Sequence, residues 1–428
     1  MTPFFAAPTP KVQVKHRVPD APPVIVDETL AVLPLLLLIS SVQAMATSSL
    51  LAVAALGPRI ASANSVPASW VGFEVALSYA LAAIGSLVAG PFIARTGATL
   101  ALIIACSTSA LALALAGLGT LREIVLAAIL LGAAYSIVGP AASQLLAKVA
   151  PPGRQHLMFS IRMTGIPLGA ALSMLLLPSL AEMTGWRTAL LIAGAPQLLL
   201  AFVLVRRRGD LDDGQPTTSS SSDPLASLRL LVSHSGIRSI ALMSFFYSGF
   251  AHTFTSCLLT ALVTDLDWTL RSAGAFSFVM IGIGAVARLA MGWAADKLVT
   301  PCTLFVSVGL VDLIGGSWLA SVTPATSLWL LAAMLALLGA FGSGWAGIQQ
   351  SEAARMSPSG MVSSGAGAVY FGTFVGGMVM PAVFTAVRDL TGRSLLAIGI
   401  VGCLAITGSI LIAIGYRARA QAVQLARS

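Results

Sequence analysis

Two arginines, Arg162 and Arg288, lie inside long apolar runs, where charged side chains are rare. If these runs span a membrane, each charge costs about 2.5–3.5 kcal/mol on insertion scales and calls for a functional explanation. Two guanidiniums that line one cavity would bind an anion, above all a carboxylate, which accepts paired N–H donors. The alternative is that both side chains extend to a nearby membrane surface. Small or weakly polar residues share a helical face with each arginine: Gly165, Gly169 and Ser173 with Arg162, and Gly284, Ser277 and Gly274 with Arg288.

Glu74 and Asp312 are carboxylates embedded in apolar runs, and we expect them to act in coupling or gating. Glu74 stands in the first turns of its run, where the helix dipole also stabilises a carboxylate, so a structural role stays open. Asp312 stands near the middle of its run, and we expect it to form an ion pair with Arg288.

A third group of candidates could contact a substrate through aromatic or polar side chains. His252 could relay protons near neutral pH, and the aromatic residues around it could hold a ring-bearing substrate or simply pack in the core. These neighbours are Phe245, Phe246, Tyr247, Phe250 and Phe254. The candidate substrate-binding residues are therefore Arg162, Arg288, Tyr247 and His252, joined by the polar residues Gln43, Tyr135, Gln144, Gln349 and Tyr370.

The composition shows which elements must position these residues. Of 428 residues, 57% are hydrophobic and only 9% are charged, and the mean hydropathy is +0.91, whereas a soluble domain carries about 25% charged residues. The chain is therefore a polytopic membrane protein in a lipid bilayer. A helix needs about 20 apolar residues to span, and twelve runs qualify: 34–57, 70–90, 98–119, 123–147, 157–180, 187–205, 238–263, 271–293, 302–322, 326–350, 361–387 and 394–415.

The positive charges predict the orientation. With the amino terminus inside, sixteen Lys and Arg lie on the cytoplasmic side, six lie on the opposite side and two lie within spans. This bias places both termini in the cytoplasm of a bacterial-type inner membrane. The first run is too long and too late to be a cleaved signal peptide.

The chain divides into two halves. A polar segment from Gly209 to Arg229 reads as a flexible tether. The expected parts are an amino-terminal tail 1–31, a six-helix bundle 32–208, a linker 209–236, a second six-helix bundle 237–416 and a carboxy-terminal tail 417–428. Gly90-Pro-Phe-Ile-Ala-Arg95 ends the second span, and Gly292-Trp-Ala-Ala-Asp296-Lys297 ends the eighth, so the halves repeat.

On these two motifs the chain resembles the major facilitator superfamily over nearly its whole length. The resemblance implies two pseudo-symmetric bundles, and it implies gating by Gly90, Arg95, Gly292, Asp296 and Lys297. Ala94 stands where the family usually has Asp. Phe159 to Gly169 resembles cyanate and nitroimidazole permease-like proteins and organic-anion carriers. Ala128 lies four residues before Gly132, and many proton-coupled drug exporters carry an Arg at that position.

Several function classes are excluded by absent motifs. There is no Walker A sequence, no HExxH and no GxSxG, so ATP-driven pumping and intramembrane hydrolysis are not expected, and no cofactor or metal is implied. The basic residues form no patch that would bind nucleic acid. The four scattered cysteines do not have the spacing of a disulfide framework.

We therefore expect a monomeric, non-enzymatic secondary transporter of a small anionic organic solute, with protons as the candidate coupling ion. Two alternatives stay open: a proton-coupled exporter of hydrophobic drugs, and a non-transporting receptor on the same fold.

Overall fold

The computed structural model describes residues 28–66, 70–212 and 223–425, so most of the expected amino-terminal tail lies outside the described residues. Every regular element of the described residues is an α-helix. The helices are α1 (Glu28–Ala55), α2 (Gly57–Ala63), α3 (Trp70–Thr96), α4 (Ala98–Leu118), α5 (Leu121–Val149), α6 (Gln155–Met163), α7 (Gly165–Thr184), α8 (Trp186–Arg206), α9 (Arg208–Asp212), α10 (Ala226–Ser233), α11 (Ser235–Leu266), α12 (Leu270–Lys297), α13 (Pro301–Leu319), α14 (Leu328–Gly344), α15 (Ala346–Met356), α16 (Val362–Thr391) and α17 (Ser394–Leu425).

These helices form two bundles that correspond to the two halves of the sequence. Helices α1 to α8 pack around one core, and α11 to α17 pack around a second core that has two parts. Eleven segments of the described residues are long and apolar enough to cross a membrane. The seventh expected span is the 32-residue helix α11, which is not among the eleven because His252 and many hydroxyl residues lower its hydropathy. The twelve expected spans are thus all helical.

Two of the expected spans are broken into two helices. The fifth is interrupted at Thr164, between α6 and α7. Pro167 follows in the first turn of α7, and it has no N–H to donate to the Met163 carbonyl four residues earlier. The tenth is interrupted at Trp345, between α14 and α15. Broken spans leave main-chain carbonyls free in the interior of the molecule.

The linker and the carboxy-terminal tail contain more helix than the sequence suggests. The described parts of the linker form α9 and α10, and α10 packs against α3 and α16. Ser227 of α10 lies against Gly367 of α16. Helix α17 continues to Leu425, into the segment expected to be a tail.

The two bundles pack tightly at one side of the molecule, here called the basic side. It holds the connections that follow α3, α5, α12 and α15, and the exposed side chains of Arg95, Arg154 and Lys297. Ser160 of α6 lies between Gly292 of α12 and Gly347 of α15, without room for a Cβ at either glycine. Gly90 of α3 lies equally close to Ser364 of α16. The basic side is therefore closed.

Candidate functional site

Arg162, in the last turn of α6, is completely buried. Its Nη1 donates to the Gly139 carbonyl at 3.0 Å and to the Ser143 hydroxyl at 3.3 Å. Its Nη2 donates to the Tyr370 hydroxyl at 2.6 Å and lies 3.1 Å from the Met163 sulfur. Its Nε is buried and has no hydrogen-bond partner among the described residues. The side chain therefore points into the interface between the bundles, since Tyr370 belongs to α16.

Arg288, on α12 of the second bundle, reaches across the interface in the opposite direction. Its Nη1 donates to the Met163 carbonyl at 2.6 Å, and its Nε donates to the Ser343 carbonyl at 3.1 Å. Both carbonyls lie beside the helix breaks, where helical donors are missing. The residue keeps 8% of its surface exposed, and Nη2 donates to none of the described residues. Both arginines thus meet at Met163.

No carboxylate in the described part of the chain neutralises these guanidiniums. Among the described residues, neither Arg162 nor Arg288 forms an ion pair within 4.0 Å, and the expected pair between Arg288 and Asp312 is not formed. That expectation is wrong because Asp312 is buried on α13 within the second bundle, whereas Nε and Nη1 of Arg288 donate to main-chain carbonyls at the interface. Two buried cations without a neutralising partner are costly alone.

Aromatic residues from both bundles pack beside the arginines. Tyr370 stacks on Phe374 with ring centroids 5.5 Å apart and an angle of 23°. Phe374 also contacts Tyr135 at 5.6 Å and Tyr79 at 6.1 Å. The Tyr135 hydroxyl lies 3.2 Å from the Thr47 hydroxyl. This aromatic cluster, Tyr79, Tyr135, Tyr370 and Phe374, offers ring faces next to positive charge.

His252 is joined to the cluster by a hydrogen bond across the interface. Its Nε2 lies 3.3 Å from the Tyr79 hydroxyl, and its Nδ1 lies 3.1 Å from the Ser248 hydroxyl. Ser248 donates in turn to the Thr373 carbonyl. Gln349 donates to the Thr373 hydroxyl at 3.0 Å. A chain of polar groups thus runs from the first bundle through α11 and α16 to α15.

Three other candidates lie at different distances from this centre. Gln43 is buried and lies 3.5 Å from the Tyr135 hydroxyl, at the edge of the aromatic cluster. Gln144 is partly exposed on α5. Tyr247 lies in the core of the second bundle and donates to the Phe305 carbonyl. Its hydroxyl lies 2.7 Å from that of Ser409, so the structure does not bring Tyr247 to the arginines.

The two embedded carboxylates lie within their own bundles. Glu74 is buried, with one oxygen 3.4 Å from the Ser78 hydroxyl and the other without a partner. Asp312 is fully buried on α13, and neither of its oxygens has a hydrogen-bond partner in the described residues. The structure therefore keeps both carboxylates away from the guanidiniums.

Asp296 joins the two bundles at the basic side. One of its carboxylate oxygens accepts the His156 N–H at 3.1 Å and the other accepts the Leu157 N–H at 2.9 Å. Arg154, at the N-cap of α6, has no side-chain acceptor for these N–H groups. Asp296 of α12 thus caps a helix of the other bundle, while Lys297 beside it is exposed.

Sequence reasoning missed a second charged cluster at the same side. Glu352 of α15 is fully buried and forms an ion pair with Arg355 at 2.8 Å. It also accepts a hydrogen bond from Tyr416 and lies 3.7 Å from His156 of the first bundle. The i, i+3 spacing of Glu352 and Arg355 at the end of an apolar run was the available signal. No group of three or more candidate ligands among the described residues could hold a metal ion.

Two bundles of membrane-spanning helices, with polar residues buried at their interface, define a multi-pass membrane transporter. The family model of the Major Facilitator Superfamily matches residues 36–381, and the chain belongs to this family. Membership in this family of transporters makes the chain a transporter of small molecules rather than an enzyme.

Known proteins support the same class. A gallate transporter of Pseudomonas putida is 26% identical over 352 residues, which are 71% of this chain and 77% of the relative. The Escherichia coli fucose:proton symporter FucP is similar in structure, with a TM-score of 0.69, 16% identity and coverage of 90% of this chain and 98% of that chain. A human organic anion transporter gives a TM-score of 0.65 at 15% identity, covering 92% of this chain and 100% of that chain.

Proposed function

We infer that the chain is a secondary active transporter that moves a small organic anion across the membrane by alternating access between its two bundles. One observation carries this proposal: Arg162 and Arg288, one from each bundle, meet at Met163 without a neutralising carboxylate. A ligand that binds at a site shared by both bundles contacts both of them, so its binding can favour one arrangement of the bundles over the other.

The free donors at this site suit a carboxylate. Arg162 keeps Nε without a partner, and Arg288 keeps Nη2 without one among the described residues. A guanidinium binds a carboxylate through two parallel N–H groups, which fixes its geometry as well as its charge. The gallate transporter among the relatives, named for a carboxylate substrate, supports this choice.

The aromatic cluster supports an organic rather than an inorganic anion. Tyr79 and Tyr135 contact Phe374, and Phe374 stacks on Tyr370, which accepts a hydrogen bond from Arg162. Such rings pack favourably on an aromatic or apolar part of a ligand. A ligand with a carboxylate at one end and an apolar body would use both halves of the site.

The charge bias supports a bacterial-type inner-membrane location with the basic side in the cytoplasm. In that orientation the structure is closed to the cytoplasm. Asp296 and Gly292 serve as the gate, while Arg95 and Lys297 lie exposed at its edge. Glu74, Asp312 and His252 are the candidates for proton coupling, and the transporter acts as a monomer.

The second candidate function is proton-coupled export of hydrophobic drugs, which the aromatic cluster would also suit. Many such drugs are cations, and two unpaired guanidiniums would repel a cation with an energy of several kcal/mol at the effective dielectric of a protein site. The organic anion is therefore the better ligand for this site.

Thermal unfolding of detergent-purified protein tests the proposal. A ligand at 100 times its Kd stabilises the folded state by about 2.7 kcal/mol. We expect gallate and benzoate to raise the Tm of the wild type, and tetraphenylphosphonium to leave it unchanged. Arg162→Lys and Arg288→Lys should lose the gallate shift, while Arg59→Lys, at an exposed ion pair with Glu182, should keep it. Stabilisation by tetraphenylphosphonium alone would favour the drug exporter.

A further inference from the structure

We propose that the substrate anion and the closed bundle interface compete for the same guanidinium N–H groups, so that anion binding itself loosens the basic side. This inference rests on the proposed function of the two arginines. It adds the competitors, which are the Tyr370 hydroxyl and the Met163 carbonyl, and it makes Tyr370 a positioning residue that acts through Arg162.

The two contacts are reciprocal across the interface. Arg162 belongs to the first bundle and donates to Tyr370 of the second at 2.6 Å. Arg288 belongs to the second bundle and donates to Met163 of the first, also at 2.6 Å. Both are short hydrogen bonds from a charged donor, which is the stronger class of hydrogen bond. Each arginine therefore links its own bundle to the other through one hydrogen bond, and each of these two hydrogen bonds is here called a tie.

A carboxylate that binds Arg162 through two N–H groups must take one of them from the interface. Nε and Nη2 form one edge of the guanidinium fork, and Nε is the nitrogen without a partner. Nη2 is the nitrogen that donates to Tyr370. Nη2 carries two N–H groups, and their acceptors are the Tyr370 hydroxyl and the Met163 sulfur. Bidentate binding at this edge thus competes with these two acceptors for the N–H groups of Nη2.

The same geometry holds for Arg288. Its Nη2 has no acceptor among the described residues, and its Nη1 donates to the Met163 carbonyl. A carboxylate on the edge formed by Nη1 and Nη2 competes with that carbonyl for the N–H groups of Nη1. An anion can therefore make a first contact through one nitrogen of each arginine, and bidentate binding then competes with both hydrogen bonds between the bundles.

Tyr370→Phe isolates the tie without disturbing the packing, because the ring of Tyr370 is stacked on Phe374. The reporter is Ser364→Cys, at a buried position packed against Gly90 at the closed side. It is placed in a chain whose four native cysteines are replaced by serine. The measurement is the rate of labelling by a maleimide added to full-length protein in detergent, with and without gallate.

We expect gallate to raise the labelling rate of the otherwise wild-type reporter protein about five-fold. Tyr370→Phe should give a similar rise without any anion and should bind gallate several-fold more tightly, because a competitor has been removed. A merely structural role of Tyr370 would instead weaken gallate binding. Tyr247→Phe is the matched control, since that hydroxyl bonds within the second bundle, and it should label like the wild type.

The inference is overturned if Tyr370→Phe labels at the wild-type rate without anion, whatever gallate does. It is also overturned if gallate raises the Tm of the wild type but does not raise its labelling rate, a comparison that needs no Tyr370 variant. If gallate, benzoate and other organic anions fail to bind the wild type, the proposed function fails, and fast labelling of Tyr370→Phe still shows the tie.

Discussion

Ser160 of α6 lies so close to Gly292 of α12 that a Cβ on the glycine would overlap the serine side chain. The same serine meets Gly347 of α15 from another direction. A single small residue of the first bundle is thus enclosed by two glycines of the second. Close approach of this kind needs glycine, because any side chain would hold the helices apart.

Gly292→Val should therefore open the basic side. Two methyl groups cannot fit beside Ser160, and overpacking of this kind costs about 1–3 kcal/mol. The Ser364→Cys reporter should then label about five-fold faster or more. Gly282→Val, on the same helix but with nothing within 4 Å of an added Cβ, should label like the parent protein. Equal labelling of both variants would mean that the Gly292 contact does not keep the side closed.

Asp296→Asn should weaken the closed state through the cap of α6. The carboxylate accepts two N–H groups of the other bundle, and a charged cap at a helix N-terminus contributes about 1 kcal/mol. The ratio of closed to open protein should fall about five-fold, which the same reporter reads as faster labelling. Glu182→Gln, which removes an exposed ion pair elsewhere, serves as the control. An unchanged labelling rate in Asp296→Asn would mean that the cap does not stabilise the closed state.

Pro167→Ala should weaken the tie between Arg288 and Met163. Alanine restores a helical N–H that can bond the Met163 carbonyl, so this carbonyl becomes a poorer acceptor for Arg288. The loss of about 1 kcal/mol should speed labelling of the reporter about five-fold. Pro178→Ala, also inside α7, is the matched control. The account of the broken span is wrong if both proline variants behave alike.

Asp312→Asn tests whether the buried carboxylate of α13 couples transport to protons. Asparagine has almost the same shape but cannot take up or release a proton. Within the part of the chain that the structure describes, the carboxylate has no hydrogen-bond partner to lose. The Tm should stay within a few degrees of the wild type. Uptake of gallate driven by a pH gradient should fall at least ten-fold, while exchange of gallate for gallate persists. If uptake driven by the pH gradient is unchanged in Asp312→Asn, Asp312 does not couple transport to protons.

The sequence predicts the helices and their two bundles because hydropathy alone reveals spans of this length. The repeat that contains Gly90 and Gly292 predicts two similar halves, and the structure places both glycines where the bundles meet. Asp296 shows the limit of such patterns. Its position in the motif suggests a gate, but its two partners on α6 depend on how α12 packs across the interface.

The proposed binding site is harder to predict because it depends on contacts between distant residues. Arg162 and Tyr370 are 208 positions apart, and no local pattern links them. Tyr79 and Phe374 were not singled out, since an aromatic residue in an apolar run is usually a core residue. The breaks at Thr164 and Trp345 are invisible to hydropathy averaged over a span, although Pro167 was a local signal for the first.

Uptake of radiolabelled gallate into proteoliposomes tests the central claim, that Arg162 and Arg288 together hold an organic anion. The wild type should accumulate gallate, and Arg162→Lys and Arg288→Lys should each lower the initial rate about ten-fold or more. The loss follows from the charge-assisted hydrogen bonds removed, each worth about 1.5–3 kcal/mol. Wild-type gallate uptake by both folded variants, or transport of tetraphenylphosphonium but not gallate by the wild type, would contradict the account.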